Sequence, residues 1–338
     1  MKIVIAGGTG FLGRPLAEAY AEDGHDVRVL TRSLPAGESR HDTGTGTPGI
    51  TRVGWHPDPA GSPEGLRYGS HTGTAAAGSP EALRYGSQVW AEVVDDANAV
   101  INLAGESIGD QRWTPERKAQ LRNSRIGPTR ALARVIASAA KPPRVLISAS
   151  GVGYYGAAGD EPKTEDSPAG TDFLSKLCED WEAEARSAAT SGTRVVLLRT
   201  GVVIERSGGA LAKMIPAFRL FAGGPMGSGR QYMSWIHRHD YLEMVRWIVD
   251  TPAVEGPVNA TAPHPVTNQA FARALGRALK RPSLIPAPAF ALKIFLGEMA
   301  GPLVLSGQRV LPTRAQAHGY DFRYPEIDLA MRGIFGEP

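Results

Sequence analysis

Apolar and polar positions along residues 1–204 follow two alternating rhythms. Compact β-branched runs, "KIVIAG", "DVRVL", "ITRVGW", "NAVINLAG", "RVLISAS" and "RVVLLRTGVV", are separated by stretches of helical period, the first from Leu12 to Asp23 and another ending at Ala139. The runs are continuous rather than alternating, which fits strands buried on both faces. Strand and helix in regular succession predict an α/β chain: a Rossmann-type doubly wound parallel sheet. After residue 260 the rhythm changes. There "HPVTNQAFARALGRAL" predicts a helix with Phe271 and Leu275 turned inward, followed by the proline-rich "RPSLIPAPAF". The expected organisation is a Rossmann domain over residues 1–204 and 233–260, with a smaller C-terminal α/β cap and substrate region from residues 205–232 and 261–338.

Within the loop expected at 42–87, "AGSPEGLRYGS" (60–70) is nearly repeated as "AGSPEALRYGS" (77–87). Two copies are too few for a solenoid. A tandem duplication in a surface loop is the simpler reading, since doubling a loop costs only ~0.6 kcal/mol.

The first strand runs directly into "AGGTGFLG" and a helix. Gly7, Gly10 and Gly13, at three-residue spacing, suit three different tasks: a tight turn, close approach of a pyrophosphate, and close packing of helix on strand. The helix N-terminus then offers N–H groups and a favourable dipole to the phosphates. Thr9, Phe11 and Leu12 complete this dinucleotide loop. At the end of the second strand, an acidic residue would grip the ribose of NAD, but the chain has "VLTRS". Thr31, Arg32 and Ser33 supply hydroxyls and a guanidinium that suit a 2′-phosphate, so the expected cofactor is NADP(H).

Composition removes several alternatives. An apolar content of 42% and 21% charge in 338 residues support a large buried core. The formal charge of +3 is scattered, with no basic stripe, so nucleic acid is not an expected partner. The eight histidines are dispersed and share no ligand spacing with cysteine or carboxylates, so no metal is expected. The lone Cys178 suits a reducing compartment and a core position. "MKIVIAGG" is too short an apolar run for a signal peptide, and "PAPAFALKIFLGEMAGPLVL" is broken by charges and prolines. The expectations are a cytoplasmic protein with no membrane partner, as a monomer or homodimer, acting on a small molecule.

"GGTGFLG", "NLAG" at 102–105, "SASGVGYYG" at 148–156, "LRTGVVI" at 198–204 and "SWIHRHD" at 234–240 together resemble the extended short-chain dehydrogenase/reductase superfamily. "NLAGESI", "RWTPERK", "GGPMGSG", "NATAPHPVTN" and "GQRVLP" followed by "GYDFRYP" look like the branch labelled epimerase-family protein. That branch is similar to nucleotide-sugar epimerases, ends in a short domain of uncharacterised role, and has sometimes been labelled a cell-division inhibitor. The resemblance implies that Leu103, Ala104 and Gly105 pass the adenosine side of the cofactor. It places Ser148 and Ser150 beside the nicotinamide, with Ser150 in the catalytic serine slot to within one position.

The superfamily's Tyr-x-x-x-Lys pair falls on "TDFLSKLCEDWE", where Phe173 and Leu177 take its places. A shifted alignment puts Asp172 and Lys176 there instead. Phe173, Leu177, Trp181 and Ala185 recur every four residues as an apolar stripe, and Asp172, Lys176 and Asp180 form a charged one. Lys176 therefore fits a solvated ion pair with Asp172 better than a catalytic role. If a proton is transferred, Ser150, Tyr154 or Tyr155, His237 or water are the candidate sources, with Tyr155 leading. The other reading is a non-catalytic NADPH sensor.

Overall fold

In the computed structural model, residues 1–32, 48–55, 90–189 and 192–336 are described. The repeats at 60–70 and 77–87, and Ser33, lie outside them. Seven strands form the main sheet: β1 (Lys2–Ala6), β2 (Asp26–Thr31), β3 (Ile50–Gly54), β4 (Ala99–Asn102), β5 (Val145–Gly151), β6 (Arg194–Thr200) and β7 (Gly256–Ala260). Their order is β7-β6-β5-β4-β1-β2-β3, a Rossmann-like α/β arrangement. The pairings are parallel, with Ile3 opposite Val27 on one side of β1 and Ala99 on the other. Ile3, Val4 and Ile5 are fully buried, as continuous apolar strands require when both faces are covered.

The order reverses beside β1, which pairs with β2 on one side and β4 on the other. Such a switch point opens a crevice at the carboxyl ends of the strands. Helix α1 (Gly13–Glu22) follows β1 directly and buries Leu16, Ala17 and Tyr20.

By its contacts the chain divides into two compact units. One comprises Met1–Glu106, Arg122–Ser148 and Trp181–Val195; the other comprises Ser107–Leu121, Ala149–Asp180 and Val196–Pro338. This division cuts across the boundaries expected from sequence, because segments 107–121 and 149–180 pack with the C-terminal part. Helix α2 (Pro115–Ser138) and helix α3 (Phe173–Arg186) each contribute to both units.

Inside the second unit, the helix Asn268–Leu279 turns Phe271 and Leu275 into a core with Trp235, Phe218 and Met331. The sequence pattern anticipated both inward residues. Thr267 starts the helix by accepting from the Ala270 N–H at 3.3 Å. Arg277 ties it to the final helix, Ile327–Phe335, through Asp328 at 2.5 Å.

Candidate functional site

The three glycines divide their tasks as their spacing suggests. Gly7 has φ +79°, and a Cβ there would lie 2.7 Å from the Leu103 carbonyl oxygen, so the ends of β1 and β4 meet backbone to backbone. The Gly10 N–H donates to the Gly7 carbonyl at 3.1 Å and closes the turn. A Cβ on Gly13 would lie 2.2 Å from that same carbonyl, which fixes how closely α1 can approach the strand. At Gly10 a Cβ would meet only Gly7 O, at 3.3 Å, leaving room above the loop. Thr9 and Gly10 are exposed, whereas Phe11 and Leu12 are half-buried. No side chain caps α1, and although Arg14 N donates to Gly10 O at 3.0 Å, the positive end of the helix dipole is turned to this loop, where an anion is favoured. This cradle fits a dinucleotide pyrophosphate.

Thr31 ends β2 buried, and Arg32 follows it exposed. At β4 the Leu103 N–H donates to Ala6 O at 2.8 Å. Asn102 is fully buried and holds this turn: its Oδ1 accepts from Ala104 N at 3.2 Å, and its Nδ2 donates to Thr129 Oγ1 at 2.8 Å and Ser148 Oγ at 3.5 Å. Thr129 Oγ1 also accepts from Trp181 Nε1 at 2.8 Å. Ser148, expected beside the nicotinamide, thus has its hydroxyl inside this network at 1% exposure. Gly105 lies against Arg125, whose guanidinium carbon would be 3.2 Å from an added Cβ. That arginine stacks over Trp181 at 5.3 Å and donates to Glu106 O at 2.7 Å.

In the second unit, the start of α3 explains what replaced the tyrosine and lysine. Asp172 caps the helix: its Oδ1 accepts from Ser175 N at 2.9 Å and from Ser175 Oγ at 3.1 Å. The expected Asp172–Lys176 ion pair is therefore not formed. Lys176 pairs with Glu179 at 2.7 Å, and this neighbour holds its pKa above the ordinary lysine value. Capping wins because a buried helix end needs its N–H groups satisfied, while an exposed lysine has a second carboxylate within reach. Leu177 is buried, and Cys178 is buried with Sγ 3.7 Å from Gly151 O. Phe173 meets Trp113 edge-on at 5.2 Å beside Leu121, Leu174 and Met299. Above its ring, 5.3 Å from the centroid, stands the Lys118 ammonium, paired with Glu298. A cation thus returns to the neighbourhood of the vacated slot from a different helix.

Three of the candidate proton donors have distinct surroundings. Tyr155 is 4% exposed, donates to Asn259 Oδ1 at 2.7 Å and accepts from Arg199 Nη1 at 3.0 Å. Burial, partly offset by Arg199, pushes its pKa up to about 12. Arg199 also donates to Glu165 O at 3.1 Å and lies 3.5 Å from the Tyr154 ring centroid. Burial raises the Glu165 carboxyl, although its Oε1 accepts from Asn259 N and Arg314 N. Tyr155 is thus held by a buried polar network, an environment suited to structure rather than to proton exchange. His237 caps the helix Arg238–Asp250: its Nδ1 accepts from His239 N at 3.0 Å, which leaves the ring proton on Nε2. The ring stacks 4.0 Å from Tyr324, and burial lowers its pKa to about 4. A capping role accounts for His237 without catalysis. Ser150 is the penultimate residue of β5 at 5% exposure, one residue before the Gly151 carbonyl that Cys178 meets.

Sequence reasoning passed over Arg199, Glu165 and Asn259, and over the Lys118–Glu298 pair. The first of these had a visible signal: an arginine inside the otherwise apolar "VVLLRT". The pair had none, because 180 residues separate its members.

Residues 3–260 match the NAD dependent epimerase/dehydratase family, and residues 287–334 match a domain of unknown function, DUF1731. The epimerase family protein SDR39U1 homolog, chloroplastic, of Arabidopsis thaliana is 39% identical over 99% of this chain and 86% of its own length. An epimerase family protein of Mycobacterium bovis is 37% identical over 97% of this chain and 96% of its own. The crystal structure of human epimerase family protein SDR39U1 (isoform 2) with NADPH superposes with a TM-score of 0.80 at 32% identity, covering 100% of both chains. With a glycine cradle at the switch point, this seven-stranded order and matches of that extent, the chain belongs to the NAD dependent epimerase/dehydratase family.

Proposed function

We propose that the protein is an NADP(H)-dependent oxidoreductase or epimerase that works without the tyrosine and lysine of its wider superfamily, on a small polar carbonyl or sugar-like substrate. The observation that carries this reading is the cradle of Gly7, Gly10 and Gly13, whose open side lies above Gly10. Arg32, with no carboxylate at the end of β2, supports NADP(H) over NAD(H). The NADPH in the human relative's crystal structure supports the same choice. When bound, the cofactor supplies hydride transfer. The protein's residues hold the pyrophosphate at the α1 N-terminus, meet the adenosine phosphate with Arg32, and line the adenosine side with Leu103, Ala104 and Gly105. Ser150 and the Lys118 ammonium are the groups we assign to the substrate proton. The buried Cys178 supports a reducing compartment, and we place the protein in the cytoplasm.

Titration with NADPH and NADH tests the first half of this reading, followed by nicotinamide fluorescence. Selective NADPH binding is expected. Single-turnover oxidation of bound NADPH across a panel of carbonyl compounds tests the second half. Ser150→Ala and Lys118→Met are each expected to lower that rate about 10²-fold or more while binding persists. A second reading, an NADPH sensor without catalysis, is favoured by the apolar packing of Phe173 and Leu177. It prevails if cofactor binds and no carbonyl compound is reduced.

A further inference from the structure

The second unit carries an apolar surface that the cofactor chemistry does not use. The helix Ala289–Leu296, "AFALKIFL", buries none of its eight residues. Phe290 and Ile294 share one of its faces with Phe295 beside them, at 69%, 65% and 76% exposure. Just before this helix, Leu284 and Ile285 are also exposed and lie along Phe221: Ile285 N donates to Gly223 O at 3.3 Å and Ala287 N to Pro225 O at 2.9 Å. Backbone strain and local charge both mark this surface. Phe221 sits at φ +60°, a left-handed conformation in which a bulky side chain is strained, yet its ring points outward under the Arg281 guanidinium, 4.7 Å away. In addition, the charge of this region is one-sided.

Between Glu205 and Asp240, and again between Glu255 and Glu298, the chain has ten lysines and arginines and no acidic residue; Lys213, Arg238 and Arg277 are paired with Asp110, Glu205 and Asp328 from outside these stretches, whereas Arg219, Lys280, Arg281 and Lys293 border the apolar face. The whole chain is +3, so everything outside these two segments is −7. Arg219 adjoins the apolar positions at Phe221, Lys280 and Arg281 precede Leu284, and Lys293 lies within the exposed helix. A second copy meeting this surface through a twofold axis would set two cationic faces against each other. An anionic bilayer surface satisfies both halves of the pattern: Phe and Ile side chains enter the acyl boundary, and the surrounding cations meet lipid phosphates.

We propose that this face, comprising the exposed helix and the paired segments at 220–227 and 283–287, docks the protein on anionic lipid bilayers. The sequence expectation of no membrane partner rested on the lack of a spanning segment. Among the described residues no helix is long and apolar enough to cross a membrane, and surface docking needs none.

The test is flotation of the full-length protein with vesicles of phosphatidylcholine alone and of phosphatidylcholine with phosphatidylglycerol, at low and high salt. Expected is binding to the anionic vesicles only, weakened by salt. Phe290→Ser with Phe295→Ser, and separately Lys280→Glu with Lys293→Glu, are each expected to reduce it by about tenfold or more, with unchanged circular dichroism. All four side chains are exposed, so folding is not at stake. No flotation with anionic vesicles overturns the proposal. So does flotation equal to wild type in both double variants. Loss of a dimer in sedimentation velocity for the Phe290/Phe295 variant, without lipid binding by wild type, reassigns the face to self-association.

Discussion

His237 offers a pH dependence whose sign and size follow from its surroundings. Its imidazole is 7% exposed, packed on Tyr324, with His239, Arg238 and Arg323 all disfavouring a second positive charge. Burial is the larger cause, and together they lower its pKa from 6.5 to about 4. In the unfolded chain the same ring protonates near 6.5. Between these values the unfolded state binds one more proton than the folded state. The associated stability is therefore complete above pH 6.5 and is lost as pH falls toward 4, by ~1.4 kcal/mol per pH unit and ~3 kcal/mol in all. His237→Asn isolates this contribution. Asparagine can still accept from His239 N as a helix cap, so the end of the helix remains satisfied. It loses the stack on Tyr324, an expected cost of ~1 kcal/mol at neutral pH.

The assay is equilibrium urea unfolding of wild type and His237→Asn at intervals from pH 7.5 to 4.5, a range chosen to bracket ~6.5. Groups remote from residue 237 contribute equally in both proteins and cancel in the difference. Wild type is expected to be the more stable at pH 7, the two to become equal near about pH 5.5, and the variant to be the more stable below. A difference that stays constant across the range refutes the assignment of His237 as a buried neutral cap. A catalytic role for the ring would show instead as an activity loss at pH 7 with no crossing.

Other substitutions probe the remaining elements. Gly13→Ala places a Cβ 2.2 Å from Gly7 O, so α1 must move, and NADPH affinity is expected to fall at least ~tenfold by fluorescence titration; unchanged affinity would dissociate the cradle from the cofactor. Tyr155→Phe removes the hydroxyl between Asn259 and Arg199 and should cost ~1–3 kcal/mol in urea unfolding while NADPH binding holds; an activity loss at unchanged stability would restore Tyr155 as a proton donor. Asp172→Ala takes away the α3 cap and should cost ~1 kcal/mol, whereas Lys176→Met, on the exposed face, should change unfolding by less than ~0.5 kcal/mol. If the Lys176 variant instead abolishes NADPH turnover, the shifted alignment of the catalytic pair is the correct one.

Local signals sufficed for the sheet and for the cofactor loop. "KIVIA" forms a strand because continuous apolar β-branched residues suit a strand covered on both sides, and "GGTGFLG" turns because only glycine tolerates φ +79° at Gly7 and the approach at Gly13. The inward Phe271 and Leu275 were equally legible, since helical period is a property of a short segment. The candidate proton donors were not. Tyr155 and His237 have the right chemical groups, and the chain alone says nothing of how deeply each is buried or which partner holds it. Asn259 reaches Tyr155 across 104 residues, and Tyr324 reaches His237 from the C-terminal segment.

Asp172 shows the same division on a smaller scale. Four-residue spacing offered it Lys176, whereas the helix end it starts required its oxygen for the Ser175 N–H. By itself the sequence determined periodicity, turn chemistry and the glycine cradle, because these depend on steric and hydrogen-bond rules within a few residues. Tertiary structure decided which polar groups are buried, which are satisfied, and where a cation stands near Phe173, because desolvation and pairing depend on segments that meet only after the chain has folded.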